Sequence, residues 1–226
     1  DRLACVPIEP LHATDWRRRG HRRVGGNSLG AALARETVNL ARLLGSRLGA
    51  FQRKVFIDLG ARNYESSIGS WFRRTYPEGA SFRVHAFEAE TSYDDTYRGQ
   101  DVALHHFAVW VENGTVPWGA RFIAQPSQQQ RGETRPSIDI ADFMRRSVDE
   151  RDFVVVKMDI ESAEYRVIPH LLRAGVANLV DEMYVEVHTE INSCCRPPNH
   201  VGKSWADAMR LVTRLRNAGV YAHEWG

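Results

Sequence analysis

Nothing in the 226-residue sequence approaches the roughly 20 consecutive apolar residues that cross a bilayer, so no transmembrane helix is expected within it. Cysteine is scarce. Cys5 stands alone, while Cys194 and Cys195 are adjacent; three residues so placed make neither a disulfide framework nor a zinc spacing. A bridge from Cys5 to one of the pair and free buried thiols remain the two alternatives. Charge bias is slight as well: the net charge of +2 is too small to point to a nucleic-acid partner. Also missing is G-x-G-x-x-G after the first apolar strand. Gly60 is followed there by Ala61, Arg62 and Asn63, so a dinucleotide's pyrophosphate lacks its cradle. No internal repeat is visible. What is present, 43% hydrophobic and 26% charged residues, suits one large globular domain with a sizeable core.

The chain divides into an irregular basic arm, residues 1–27, and a single domain, 28–226. The arm holds Arg17, Arg18, Arg19, Arg22 and Arg23 among prolines and glycines, and reads as a solvated segment or as a contact for an acidic substrate, RNA or a membrane surface. A helix is expected from Asn27 or Ser28 to Gly49, on the spacing of Leu29, Leu33, Leu40, Leu44 and Leu48. Strands are expected at 54–58, 82–87, 102–110, 153–156, 183–187 and 220–225. Helices lie between them: one capped by Ser66 or Ser67 with Ile68, Trp71 and Phe72 inward, others at 138–146, after 164 and at 204–217. The last has a capping box, Ser204 against Asp207. Residues 113–137 read as a hairpin around Arg121–Ile123 plus a long loop over the sheet edge. Strand and helix alternate from residue 54 onward, which predicts an α/β, Rossmann-like, doubly wound and mostly parallel sheet.

Acids mark the strand ends. Asp58, Glu88, Asp159 and Glu186 each close a predicted strand, and in an open α/β sheet those ends form the ligand-binding rim. Gly60 leaves the main chain open to close approach. Glu88 falls where a nucleotide-binding sheet places the acid that takes both ribose hydroxyls. A cofactor with a ribose but no phosphates fits this rim, and S-adenosylmethionine is one. A second cluster joins KMDIESAE, residues 157–164, to YVEVH, residues 184–188. Residues two apart in a strand share a face. Asp159, Glu161, Glu186 and His188 therefore converge if those strands are neighbours, as a base with its orienting partner or as a divalent metal site of Asp159, Glu186 and His188. Glu164, one turn after Glu161, offsets Lys157 or Arg166. Asn113-Gly114-Thr115 is an N-glycosylation acceptor and equally a hairpin turn.

In this order FIDLGAR, VHAFEAE, HHFAVW, SIDIADFM, KMDIESAEYRVIPHLLRAG and YVEVH resemble the motifs of the FkbM-like class I methyltransferases, over about residues 54–190. The fifth segment carries most of the resemblance. Ser162 stands where that family has glycine, Arg62 replaces a small polar residue, and no seventh strand follows Trp225. The resemblance implies O-methylation of a sugar or glycan hydroxyl by S-adenosylmethionine. Asp58, Gly60, Ala61, Arg62, Asn63, Glu88 and Ala108 would hold the donor. Asp159 and His188 would accept or orient the acceptor's proton, with Lys157, Glu161 and Glu186 in support. The segment SSIGSWFRRTYP is also similar to plant or algal members, which implies a Golgi-lumenal domain anchored through a segment outside this chain. The alternatives from other classes are a catalytically silent binding domain on the same fold and an RNA-binding or RNA-modifying protein led by the arginine arm.

Overall fold

In the computed structural model, residues 38–119, 122–123, 132–189, 192 and 202–225 are described. The arginine arm, the start of the expected first helix and all three cysteines lie outside them. Six parallel strands form the main sheet: β1 (Lys54–Leu59), β2 (Arg83–Phe87), β3 (Ala103–His105), β8 (Phe153–Met158), β9 (Glu182–Glu186) and β10 (Tyr221–Trp225), in spatial order β10-β9-β8-β1-β2-β3. The order reverses between β1 and β8, the place where doubly wound sheets bind ligands. The expected α/β class is therefore observed.

Both faces of the sheet are covered, and the pleat sorts their chemistry. Val55, Ile57 and Leu59 of β1, with Val154, Val156 and Met158 of β8, face an aliphatic layer. That layer is completed by α2 (Ile140–Ser147), α3 (Glu164–Arg173) and α4 (Trp205–Asn217). Phe56, Phe153, Tyr184, Tyr221 and Trp225 face an aromatic layer built on Trp71, Phe72, Tyr76 and Phe82. There the Phe56 and Phe72 rings stack at 3.7 Å, and Trp71 meets Trp225 edge-on at 4.6 Å. A buried carboxylate ties this layer together. Glu182 accepts from the Leu40 amide (3.0 Å), the Tyr184 hydroxyl (2.9 Å) and the Tyr76 hydroxyl, and meets His223 Nε2 at 2.9 Å.

Several expected elements are revised. Among the described residues, Asn39 caps α1 (Leu40–Leu44) with its side chain, and the chain continues as a 3₁₀ turn to Ala50 rather than as α-helix through Gly49. Neither Ser66 nor Ser67 caps the next helical segment. Ser66 bonds back to the Ala61 and Asn63 carbonyls, and Ser67 turns inward to Asp58, so the segment starts as a 3₁₀ turn at Tyr64–Ser66 and continues as a π turn at Ile68–Phe72. Ile68, Trp71 and Phe72 nonetheless point inward as their spacing requires. The expected strand 102–110 breaks at His106-Phe107. Its second half, β4 (Ala108–Trp110), leaves the main sheet to pair with β7 (Thr134–Asp139). Residues 113–137 are correspondingly more than a hairpin and a loop: β5 (Gly114–Gly119) and β6 (Phe122–Ile123) complete a four-stranded sheet, β4-β7-β5-β6. Its apolar residues Ala108, Val116 and Trp118 pack on Ala89, just beyond β2. α2 starts two residues late because Asp139 caps it, accepting from the Ala141 and Asp142 amides. The capping box of Ser204 with Asp207 forms as its spacing predicts.

Candidate functional site

A cleft of about 250 Å³ opens at the sheet's reversal point, between the C-terminal ends of β1, β2 and β8 and the small sheet. Gly60 and Arg62 come from β1's end, Glu88 and Glu90 from β2's, and Asp159, Glu161 and Ala163 from β8's. Tyr93, Phe107, Ala108 and Trp118 supply an apolar wall. Four carboxylates against one arginine make the lining electronegative. Arg62 forms no ion pair among the described residues.

Glu88 is fixed at both oxygens: Oε2 accepts the Arg62 amide and Oε1 the Glu90 amide, each at 2.8 Å. Burial pushes its carboxyl up, and these two amide bonds oppose that shift. A carboxylate offers about four acceptor positions, so its outer lone pairs remain open to the cleft. Glu90, absent from the strand-end acids expected at the rim, accepts Trp118 Nε1 (2.6 Å) and Arg135 (3.0 Å), and so pins the small sheet to the main one. Its signal is present in the sequence: Glu88 and Glu90 are two apart, at one strand end.

The remaining donor-site expectations divide. Gly60, Arg62, Glu88 and Ala108 line the cleft; Asp58, Ala61 and Asn63 do not. The amides of Gly60 and Ala61 both donate to the Phe87 carbonyl, at 3.1 and 3.0 Å, and are spent on closing β1 against β2. Ala61 and Asp58 are fully buried. Gly60's missing side chain also has a different reason from the one expected. At φ +78°, a Cβ there would lie 1.9 Å from the Asp159 carbonyl oxygen, so the close neighbour is the protein's own main chain.

Asp58 begins a chain of alternating charge that runs beneath the cleft. Its Oδ1 lies 3.3 Å from Lys157 Nζ, and Ser67 donates to its other oxygen. Lys157 also donates to the Gly60 carbonyl (2.9 Å) and approaches Asp159 Oδ2 (3.4 Å). Asp159 Oδ1 faces His188 Nε2 at 3.6 Å, and Glu164 Oε1 faces His188 Nδ1 at 3.3 Å. Burial alone would lower the Lys157 ammonium; Asp58, Asp159 and Glu186 outweigh it and hold the charge on. Lys157 is thus a fixed cation that positions Asp159 rather than a proton acceptor.

His188 follows the same logic. Burial would lower its imidazole, but Glu164, with Glu186 and Asp159, overrides that and pushes it up to about 10. It therefore orients the carboxylates as a cation. Because the folded value lies above the ordinary 6.5, these contacts contribute fully to stability below about pH 6.5, and the contribution fades as pH rises through 10. Urea unfolding between pH 6.5 and 10 should show stability falling in the parent and a flatter profile in His188→Gln. A parent profile without that decline would remove the charged imidazole.

Glu164 does not offset Lys157 or Arg166 as its spacing suggests. Fully buried, it accepts the His188 amide at 2.7 Å and holds the ring as well. Glu186 is displaced from the expected metal set. Its nearest approach to His188 Nε2 is 3.9 Å, whereas Glu161 comes to 3.4 Å, so the residues able to hold a cation are Asp159, Glu161 and His188. The turn after β8 carries Glu161 outward through two consecutive left-handed residues, Glu161 (φ 51°) and Ser162 (φ 83°). Such backbone costs an L-residue about 1–2 kcal/mol. Allowing for glycine's greater unfolded-state freedom, Ser162→Gly should raise stability by about 0.5–1 kcal/mol, read as an upward shift in the urea midpoint. An unchanged or lower midpoint would show that no strain is held there.

Fold and cleft together define a Rossmann-like α/β domain with an acid-lined cleft at its switch point. The chain belongs to the family described as a domain of unknown function, DUF7870, whose model matches residues 27–115 and 120–226. No curated protein and no solved structure gives a significant match.

Proposed function

We propose that this domain is an S-adenosylmethionine-dependent O-methyltransferase acting on a sugar or glycan hydroxyl. The observation that carries the reading is the cleft, which an amide-fixed carboxylate, Glu88, an apolar wall and the Asp159–Glu161 pair line together. Glu88 suits the ribose hydroxyls. Tyr93, Phe107, Ala108 and Trp118 suit an adenine ring, and Arg62 suits the donor's carboxylate. The electronegative lining favours a sulfonium cation over a phosphate-bearing cofactor. The motif resemblance to FkbM-like enzymes supports the same donor and names the acceptor class.

The donor supplies an electrophilic methyl group on sulfur. The chain's part is alignment of the acceptor oxygen with that carbon and sulfur, which is the main requirement of such a transfer. Held by Glu88, Arg62 and the apolar wall, the donor would give up its methyl to the acceptor oxygen and leave as a thioether, and the Asp159–Glu161 carboxylates would take the hydroxyl proton. Burial pushes the Glu161 carboxyl up, which suits it to receive a proton. Lys157 and His188 keep Asp159 in place from behind.

The test is calorimetric titration with S-adenosylmethionine, followed by transfer of labelled methyl to a panel of cell-wall and glycoprotein glycans. Asp159→Asn should lower transfer at least about 100-fold while donor affinity stays within about threefold of the parent. Absence of donor binding would overturn the enzyme reading in favour of a silent binding domain. Normal turnover in the variant would remove Asp159 from the chemistry. Glycan acceptors and the N-glycosylation acceptor at Asn113 support a secretory-pathway, Golgi-lumenal setting. Among the described residues no helix is long and apolar enough to cross a membrane, and membrane attachment would come from a segment outside this chain.

A further inference from the structure

We infer that Asp159, Glu161 and His188 form a divalent-cation site of the Mn²⁺ type at the cleft. His188 carries the argument. Its side chain is only 3% exposed, yet Nε2 makes no hydrogen bond among the described residues and is aimed between carboxylates. A charge-assisted hydrogen bond would bring it to about 2.7–2.9 Å of one oxygen. Instead Glu161 Oε2 stands at 3.4 Å and Asp159 Oδ1 at 3.6 Å, and one donor atom from each of the three residues falls within 4.8 Å of the others. Atoms that share a metal at about 2.1–2.3 Å are separated by roughly 3–4.5 Å. The spacing fits a shared cation, and no short charge-assisted hydrogen bond competes for Nε2.

The surroundings fit the same occupant. Glu164 holds Nδ1 from the buried side and so directs Nε2 outward, the arrangement that orients metal-bound histidines. Its own Oε2 is buried without a hydrogen-bond partner. Asp159 and Glu161 are 28% and 43% exposed at the side chain and line the cleft, which leaves an open side for solvent or ligand oxygens. Two carboxylates and one imidazole without a thiolate suit Mn²⁺ better than structural Zn²⁺. Cation binding expels the Nε2 proton, because only the neutral ring offers a lone pair. Resting on the methyltransferase reading, the open side faces the acceptor hydroxyl.

The experiment is titration of the chelator-treated protein with Mn²⁺ alone, followed by calorimetry and by electron paramagnetic resonance of the free ion. One Mn²⁺ per chain is expected, with affinity at least tenfold weaker in Glu161→Gln and in Asp159→Asn. Glu161 is half-exposed, so its variant should fold, which thermal melting would verify. Glu164→Gln should weaken binding by about 10–100-fold, with Glu164→Asp recovering part of it. No saturable binding, or affinity unchanged in both carboxylate variants, would overturn the site. A parallel titration with S-adenosylmethionine separates the two readings. Mn²⁺ binding without donor binding leaves the cation site standing and removes its acceptor role; donor binding without Mn²⁺ binding removes the site alone.

Discussion

Gly60→Ala should unfold the domain more easily by about 2–5 kcal/mol, combining the left-handed backbone penalty with overpacking. That corresponds to a fall of roughly 10 °C in melting temperature for a chain of this size. The added methyl would sit 1.9 Å from the Asp159 carbonyl oxygen, 2.9 Å from its carbon and 3.3 Å from Ile160 Cγ2. Two of those three atoms are backbone and cannot rotate aside. Either the end of β1 or the turn after β8 must move, and each supplies cleft residues. On the proposed function, donor binding should therefore fall together with stability. A Gly60→Ala protein with the parent's melting temperature and donor affinity would show that the two strand ends do not meet as closely as the structure has them.

Lys157→Met should cost about 3–5 kcal/mol, because it leaves a buried carboxylate without its counter-charge. Asp58 is fully buried, and burial already pushes its carboxyl up; Lys157 and the Ser67 hydroxyl are what oppose that shift. Methionine matches the lysine's length closely, so the loss reports charge more than packing. The double variant Asp58→Asn/Lys157→Met should be more stable than Lys157→Met alone, since a neutral amide needs no counter-charge; this is a coupling that additive effects would not give. Urea midpoints of the four proteins measure it. A single-variant loss below about 1 kcal/mol, or strict additivity, would mean that the ion pair is not held as the distances indicate. Asp159 should also lose definition in Lys157→Met, because the same ammonium approaches its Oδ2.

Legibility differs from element to element for identifiable reasons. β1 and β8 are evident because buried parallel strands are continuous apolar runs, here Val55–Ile57 and Phe153–Val156, bounded by polar residues. α4 is evident because its cap, its period and its closing glycine agree. The break at His106-Phe107 is not. Residues 102–110 look like one strand, since a strand's local pattern does not record which sheet it joins. Ser67 carries a capping signal that a buried acid overrides: Asp58 needs a donor, and Ser67 becomes one.

By itself the sequence determined the class of fold, the order along the chain of the six main-sheet strands, and the presence of acids at the ends of β1, β2 and β8. These are local properties, set by apolar period and by where each run stops. Tertiary structure alone decided which of those acids face the cleft. Glu88 and Asp159 look into the cleft, while Asp58, apparently equivalent in the chain, points beneath it to Lys157. It also set Glu161 rather than Glu186 beside His188, with Glu164 behind the ring. The reason is geometric: a side chain's partners depend on which strands lie next to each other and on how the turn beyond each strand is wound, and neither is written in the spacing of residues along a single strand.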